Sequence, residues 1–260
     1  MVLDINPADS TRSYKLIYED IWGSQTVTDT VDGIAFTRFT KTFGGPNTDV
    51  GYSVQKSSDG GYIVAGETQS FGSGGSDMML VKLTAIGSHV AGFGDTDLNG
   101  SAGSVEGTVI GGPLNESAKF VQETSDNNFI IVGDSYSYGS GQSDIYIVEV
   151  NSSGVIVWDS FVGGTRNDFA NCVKQTADGG FVIVGNTYST SSDVLVVKIF
   201  PNSQGEVEWQ STFGGDFDDV GSYISQTNDG GYILTGSTYT ADNMNQVLLM
   251  KLDASGSQEF

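Results

Sequence analysis

One cysteine and one histidine in 260 residues leave little of the usual catalytic vocabulary. With Cys172 alone an internal disulfide is impossible, so the chain is not a small disulfide-stapled scaffold. A buried cysteine commonly behaves as a small hydrophobe, and Cys172 is read as a side chain packed in a strand. With His89 as the only imidazole, a Ser/His/Asp or Cys/His constellation hangs on one residue, and a three-histidine zinc site cannot be assembled. We read His89 as an exposed loop residue.

Cations are also scarce. The 11 Lys and Arg stand against 32 Asp and Glu, a formal charge of −21, so phosphate backbones and anionic lipid surfaces repel the molecule on average and nucleic-acid binding is disfavoured. No apolar run approaches the roughly 18 residues of a membrane-spanning helix, so membrane insertion is not expected. The opening MVLDINPADS has neither a basic stretch nor an apolar core, and no secretion signal is read in it. Phosphate-cradling glycine motifs are missing as well.

Glycine is abundant, with 36 residues against 4 prolines and no three-residue period, which fits a turn-dense all-β protein and excludes collagen. The glycines mark a repeat. A Gly-Gly, an acid, an Asp-Gly-Gly-type turn and an aromatic-led apolar run recur as GGPNTDVGYSVQKSSDGGYIVAG, GGPLNESAKFVQETSDNNFIIVG, GGTRNDFANCVKQTADGGFVIVG and GGDFDDVGSYISQTNDGGYILTG, beginning at 44, 111, 163 and 214. The steps are 67, 52 and 51 residues, the first carrying an insertion at about 88–107. A unit of roughly 40 to 50 residues has the length of a four-stranded propeller blade, and such units bury their apolar faces against their own copies.

Each unit reads as four strands. Strand a follows the acid and mixes apolar with polar residues, as in Val50 to Ser57. The Asp-Gly-Gly turns at 59, 178 and 229, and Asp126-Asn127-Asn128 in the second copy, supply the residues that tolerate positive φ. Strand b, such as Phe181 to Val184, is almost continuously apolar, as expected when both faces are covered. Strand c carries a lone charge (Lys82, Glu149, Lys198, Lys251) in an apolar run, which we read as one solvated site on an outer strand. Strand d carries Trp158 and Trp209, with Phe39 and Phe260 at the matching places. The N-terminal strand d would thus complete the last blade in a closed ring, or else the repeats belong to a longer array. Residues 1–33 fit the unit poorly and form an extension or a degenerate half-blade before the repeats of 34–260.

The pattern GGxxxDxxxxVxxTxDGGYIVxG, followed by SDxxLVKL, a glycine and a tryptophan, resembles the β-propeller repeats of large bacterial secreted and cell-surface proteins. The resemblance implies surface display and interaction rather than one chemistry, because fold likeness does not license a function. The expected fold is an all-β propeller of four recognisable four-stranded blades, with a degenerate fifth or a larger ring left open.

The insertion contains DTDLNGSAGSVE, which meets every specified position of an EF-hand-type calcium loop at Asp95, Asp97, Asn99, Gly100 and Glu106, with Ser101 offering its carbonyl. No helices are expected beside it, so Ca²⁺ is expected to stiffen a blade edge rather than to catalyse. Two acid columns recur: Asp49, Glu116, Asp168 and Asp219; and Asp77, Asp144 and Asp193, with Gln246 in the fourth copy. They line a cation- or sugar-binding rim, or they accept backbone N–H bonds in the turns. The expected role is a non-enzymatic extracellular or cell-surface module for interaction, adhesion or structure, with a protein or glycan partner at the rim or self-association. Two alternatives stay open: a lectin-like propeller with Tyr136, Tyr188 and Tyr239 as stacking platforms, and a carboxylate-dependent glycoside-active enzyme.

Overall fold

The computed structural model describes residues 16–19, 25–31, 34–94, 107–201, 203–242 and 244–259, with side chains from residue 39 onward. All regular structure among them is β. An N-terminal meander of β1 (Leu16–Glu19), β2 (Gln25–Val31) and β3 (Ile34–Thr40) precedes the repeats. The first blade is β4 (Asp49–Lys56), β5 (Tyr62–Thr68), β6 (Asp77–Leu83) and β7 (Thr108–Ile110). The second is β8 (Glu116–Glu123), β9 (Phe129–Ser135), β10 (Asp144–Val150) and β11 (Ile156–Val162). The third is β12 (Asp168–Gln175), β13 (Phe181–Tyr188), β14 (Ser192–Ile199) and β15 (Val207–Phe213). The fourth is β16 (Asp219–Gln226), β17 (Tyr232–Tyr239) and β18 (Asn245–Leu252), three strands among the described residues. The molecule is a four-blade β-propeller of antiparallel sheets.

Turn chemistry closes each a–b hairpin. Gly60, Gly179 and Gly230 sit at φ 86°, 87° and 86°, and Asn127 takes the same place at φ 64°, the one described non-glycine residue in that region. Each strand a then bulges after a small residue, at Gly51, Ala118, Ala170 and Gly221. The small residue is required at Gly221, where an added Cβ would lie 2.4 Å from Val184 of the preceding blade. Strand a of one blade therefore beds closely onto the sheet before it.

That bedding makes the core. β8 packs on β4, β5 and β6; β12 on β8, β9 and β10; β16 on β12, β13 and β14. Between the third and fourth blades Val182, Val184, Val194 and Val196 meet Ile224, Leu234, Met250 and Leu252. Burying each such side chain is worth about 1.5–3 kcal/mol, so a few per joint outweigh any single surface contact. Cys172 is fully buried in this layer, and burial pushes its thiol up in pKa, as expected of a packing residue rather than a nucleophile.

Aromatics join consecutive blades. Trp158 packs on Phe181, Trp209 on Tyr232, and Phe39 on Tyr62. In the first blade the partner of Phe129 is Phe93, which arrives from the insertion rather than from the register position of strand d. His89 is half-buried against Phe43 at 4.8 Å, not exposed as its loop position suggested.

Two further expectations fail. Strand c is not an outer strand where a fourth strand is present, and its lone charge is not solvated: Lys82, Glu149, Lys198 and Lys251 are all buried. The lysines reach back to the Asp of their own Asp-Gly-Gly turn, Lys82–Asp59 at 2.7 Å, Lys198–Asp178 and Lys251–Asp229 at 3.0 Å. A hydrogen bond to Lys82 and another to Ser57 hold the Asp59 carboxyl down at about 2. Nor does the N-terminal strand complete the last blade. β3 pairs with β2 in a sheet of its own, separate from that of β16, β17 and β18.

Candidate functional site

The acid columns lie at one end of the blades, where strand a begins, strand b ends and strand c begins. Register sets them in a row: Asp49, Thr68 and Asp77; Glu116, Ser135 and Asp144; Asp168, Thr187 and Asp193; Asp219, Thr238 and Gln246. In the first three rows the first acid serves the Gly-Gly turn before it. Asp49 accepts from Gly45 N–H at 2.9 Å, Glu116 from Gly112 at 2.6 Å and Asp168 from Gly164 at 2.7 Å. Ser135 also donates to Glu116, and Thr68 to Asp49. An acid recurring once per unit is thus a turn device.

The second acid of one blade meets the first acid of the next. A Cβ on Gly111 would lie 1.9 Å from Asp77 Oδ1 and 2.9 Å from Glu116 Oε2; at Gly163 the same distances separate it from Asp144 and Asp168 oxygens. Only glycine fits between two such carboxylates. Asp77, Glu116, Asp144 and Asp168 are buried, and burial together with the Glu116 charge pushes the Asp77 carboxyl up to about 6. Side chains this deeply buried are poorly placed to touch a substrate.

Aromatic groups on the same rim are the accessible ones. Tyr136, Tyr138 and Tyr188 are exposed, and Tyr239 is half-buried beside Phe217. On the third blade a cleft of about 250 Å³ is lined by Gly164, Thr165, Arg166, Asp168 and the segment from Thr187 to Thr190. Tyr188, 43% exposed, is braced edge-on by Phe169 at 5.9 Å, and the Arg166 guanidinium donates to the Ser189 carbonyl. The cleft offers a ring, hydroxyls and a cation with a fixed geometry. Sequence reasoning found Tyr188 and Asp168 but not Arg166, because nothing in the repeat marks the variable residues between Gly-Gly and the acid.

Asp95, Asp97, Asn99, Ser101 and Glu106 lie outside the described residues. The stem of their loop does not. A Cβ on Gly94 would lie 2.5 Å from the Gly107 carbonyl carbon, so the segment begins and ends at touching points. Both ends are pinned on the second blade: Gly94 N–H donates to Ser153 O at 2.7 Å and Thr108 Oγ1 to Gly154 O at 2.9 Å. Among the described residues no group of three or more His, Cys, Asp or Glu is arranged to hold a metal, and no helix is long and apolar enough to cross a membrane.

No known protein family matches the chain, and no curated protein matches it.

Proposed function

We propose that the propeller is a non-enzymatic extracellular or cell-surface interaction module whose rim engages a protein or glycan partner. The reading rests on one contrast: the rim carboxylates are buried in turn hydrogen bonds, whereas the rim tyrosines face solvent. The third-blade cleft favours a glycan as the partner, since a braced tyrosine face beside hydroxyls and a guanidinium suits a sugar ring. Glycan-array binding that competes with free sugar and is lost in Tyr188→Ala supports this. Silence on the array, with a protein partner whose binding needs the rim tyrosines, leaves the module but removes the lectin. Turnover of a glycoside abolished by Asp168→Asn would overturn the non-enzymatic reading altogether.

Calcium belongs to the same proposal. The spacing of Asp95, Asp97, Asn99, Ser101 and Glu106 supplies oxygen ligands, and the touching ends of the loop fix its stem against the second blade. A Ca²⁺ titration with heat and a raised Tm, both lost in Asp97→Ala, is the expected result. No heat and no melting shift would remove the metal.

A further inference from the structure

The interface between blades is built three times inside this chain, and each of its two halves is left uncovered once. One half is the strand-a face. Val121, Val173 and Ile224 are fully buried there, each against the preceding blade, while the equivalent Val54 of β4 is 61% exposed. Gly51 tells the same story: Gly221 is clasped by Val184 and Val194 at 2.4 and 3.0 Å, whereas a Cβ on Gly51 would meet only Val64 of its own blade. The other half is the face of strands b and c. Ile145 and Ile147 in the second blade, and Val194 and Val196 in the third, are fully buried; their fourth-blade counterparts Val247 and Leu249 are 84% and 69% exposed.

Among the described residues these halves are not packed together. Packing runs between consecutive blades, with β4 against β8 and β16 against β12, β13 and β14. Each half nevertheless matches the other by construction. By strand register Val247 and Thr235 stand where Val194 and Val184 grip a glycine, here Gly51, and Leu249 stands where Val196 packs beside strand a, here Val54.

We propose that these faces are a self-association site: the β17–β18 face of one copy takes the β4 face of a second copy, head to tail. The occupant is another copy of this chain because the complementary surface is one that the chain itself carries. Among the described residues the outer edge of β18 is open over 245–250, its last two residues being bridged by Gln258 and Glu259 of the same chain, and Phe39 already lies on Tyr62 as Trp209, from strand d of the preceding blade, lies on Tyr232. The segment from Thr40 to Phe43 is thus placed to flank the open part of β18 of the other copy as strand d flanks strand c. A head-to-tail contact closes into a ring if its rotation allows and otherwise extends into a chain of copies.

The new joint would differ from the internal ones in one bond. At each internal joint the last residue of strand a accepts from a turn N–H of the blade before: Glu123 from Ser58, Gln175 from Ser125, Gln226 from Ala177. Lys56 stands at that position in β4 and Asn228 at the turn of the fourth blade, so a lysine donor would face a carboxamide instead. With a charge of −21 on each copy, screening by salt should strengthen the association.

Sedimentation or light scattering of the full chain across roughly 1–100 μM, the range of weak to moderate affinities, should show a concentration-dependent rise above the mass of one chain, larger in high salt. Val54→Glu and Leu249→Lys, both at exposed positions and checked for native circular dichroism, should each run as a single chain. Mixed together they should form a one-to-one pair, because each retains the half that the other lacks. A chain that stays single throughout overturns the proposal, whether the faces are then covered by another repeat or by an unrelated protein. Val54→Glu that still pairs with itself also overturns it, since that result marks a symmetric contact of β18 faces.

Discussion

Strands β14 and β18 hold the same place in their blades and read SDVLVVKI and NQVLLMKL. One is buried along nearly its whole length; the other is exposed over its first half and buried only over its last three residues. The apolar pattern therefore reports what a strand is built to cover, and the neighbouring blade decides whether it is covered. Fully buried strands such as β10 lie where a following blade is present. In β18 the inward face, with Met250 and Leu252, meets the third blade while Val247 and Leu249 stand in solvent.

The most severe way to break this comparison is to truncate the same position in two blades. Ile147 is fully buried and Leu249 is 69% exposed. Ile147→Ala should cost about 2–5 kcal/mol of unfolding free energy, the transfer loss plus a cavity. Leu249→Ala, measured at low protein concentration, should stay within about 0.5 kcal/mol. Urea melts of the two variants decide it: equal losses would mean that the fourth blade's outer face is covered after all.

A second comparison runs between the lysine blades and the second blade. There Glu149 replaces lysine and the turn reads Asp-Asn-Asn, so the polarity of the tie is reversed. Asn128 Nδ2 donates to Glu149 at 2.6 Å, and the Trp158 indole N–H donates to its other oxygen at 2.5 Å. In the third blade Lys198 sits opposite Trp209, whose buried indole N–H finds no acceptor among the described residues. Lys198 is instead held by Asp178 and by Glu208 at 3.3 Å. Glu149→Lys should strip two donors of their acceptor at once and cost about 1–3 kcal/mol. A loss below a few tenths in thermal or urea melts would show that the tie to Asp126, still available to a lysine, makes up the difference.

The propeller was legible because period, turn glycines and apolar runs agree across all four copies, and mutual agreement of local signals is what specifies a fold. The acid columns were legible as positions, and their register row follows from strand pairing. Three things were not. The lone charge of strand c was misread as solvated because its partner lies on the a–b turn of its own blade, some 20 residues away in Lys198 and Asp178. Phe93 was missed because it reaches Phe129 from a loop with no register of its own. The open end faces were missed because a strand with an uncovered face carries the same residues as one whose face is covered.

The smallest effect concerns the turn that is not Asp-Gly-Gly. Asn127 holds φ 64°, a left-handed conformation that costs an ordinary L-residue about 1–2 kcal/mol, though asparagine tolerates it better than most. Glycine would relieve that strain but would also loosen the unfolded chain, and the two terms oppose each other. The Asn127 carboxamide gives little in return, since its one contact with Ser58 Oγ is 3.3 Å long. Asn127→Gly should therefore change stability by no more than about 0.5 kcal/mol, whereas Gly60→Ala at φ 86° should cost about 1 kcal/mol, with strain alone responsible because an added Cβ would meet nothing within 4 Å. Paired urea melts separate the cases. A Gly60→Ala loss no larger than that of Asn127→Gly would show that the hairpin, and not its glycine, fixes the left-handed turn.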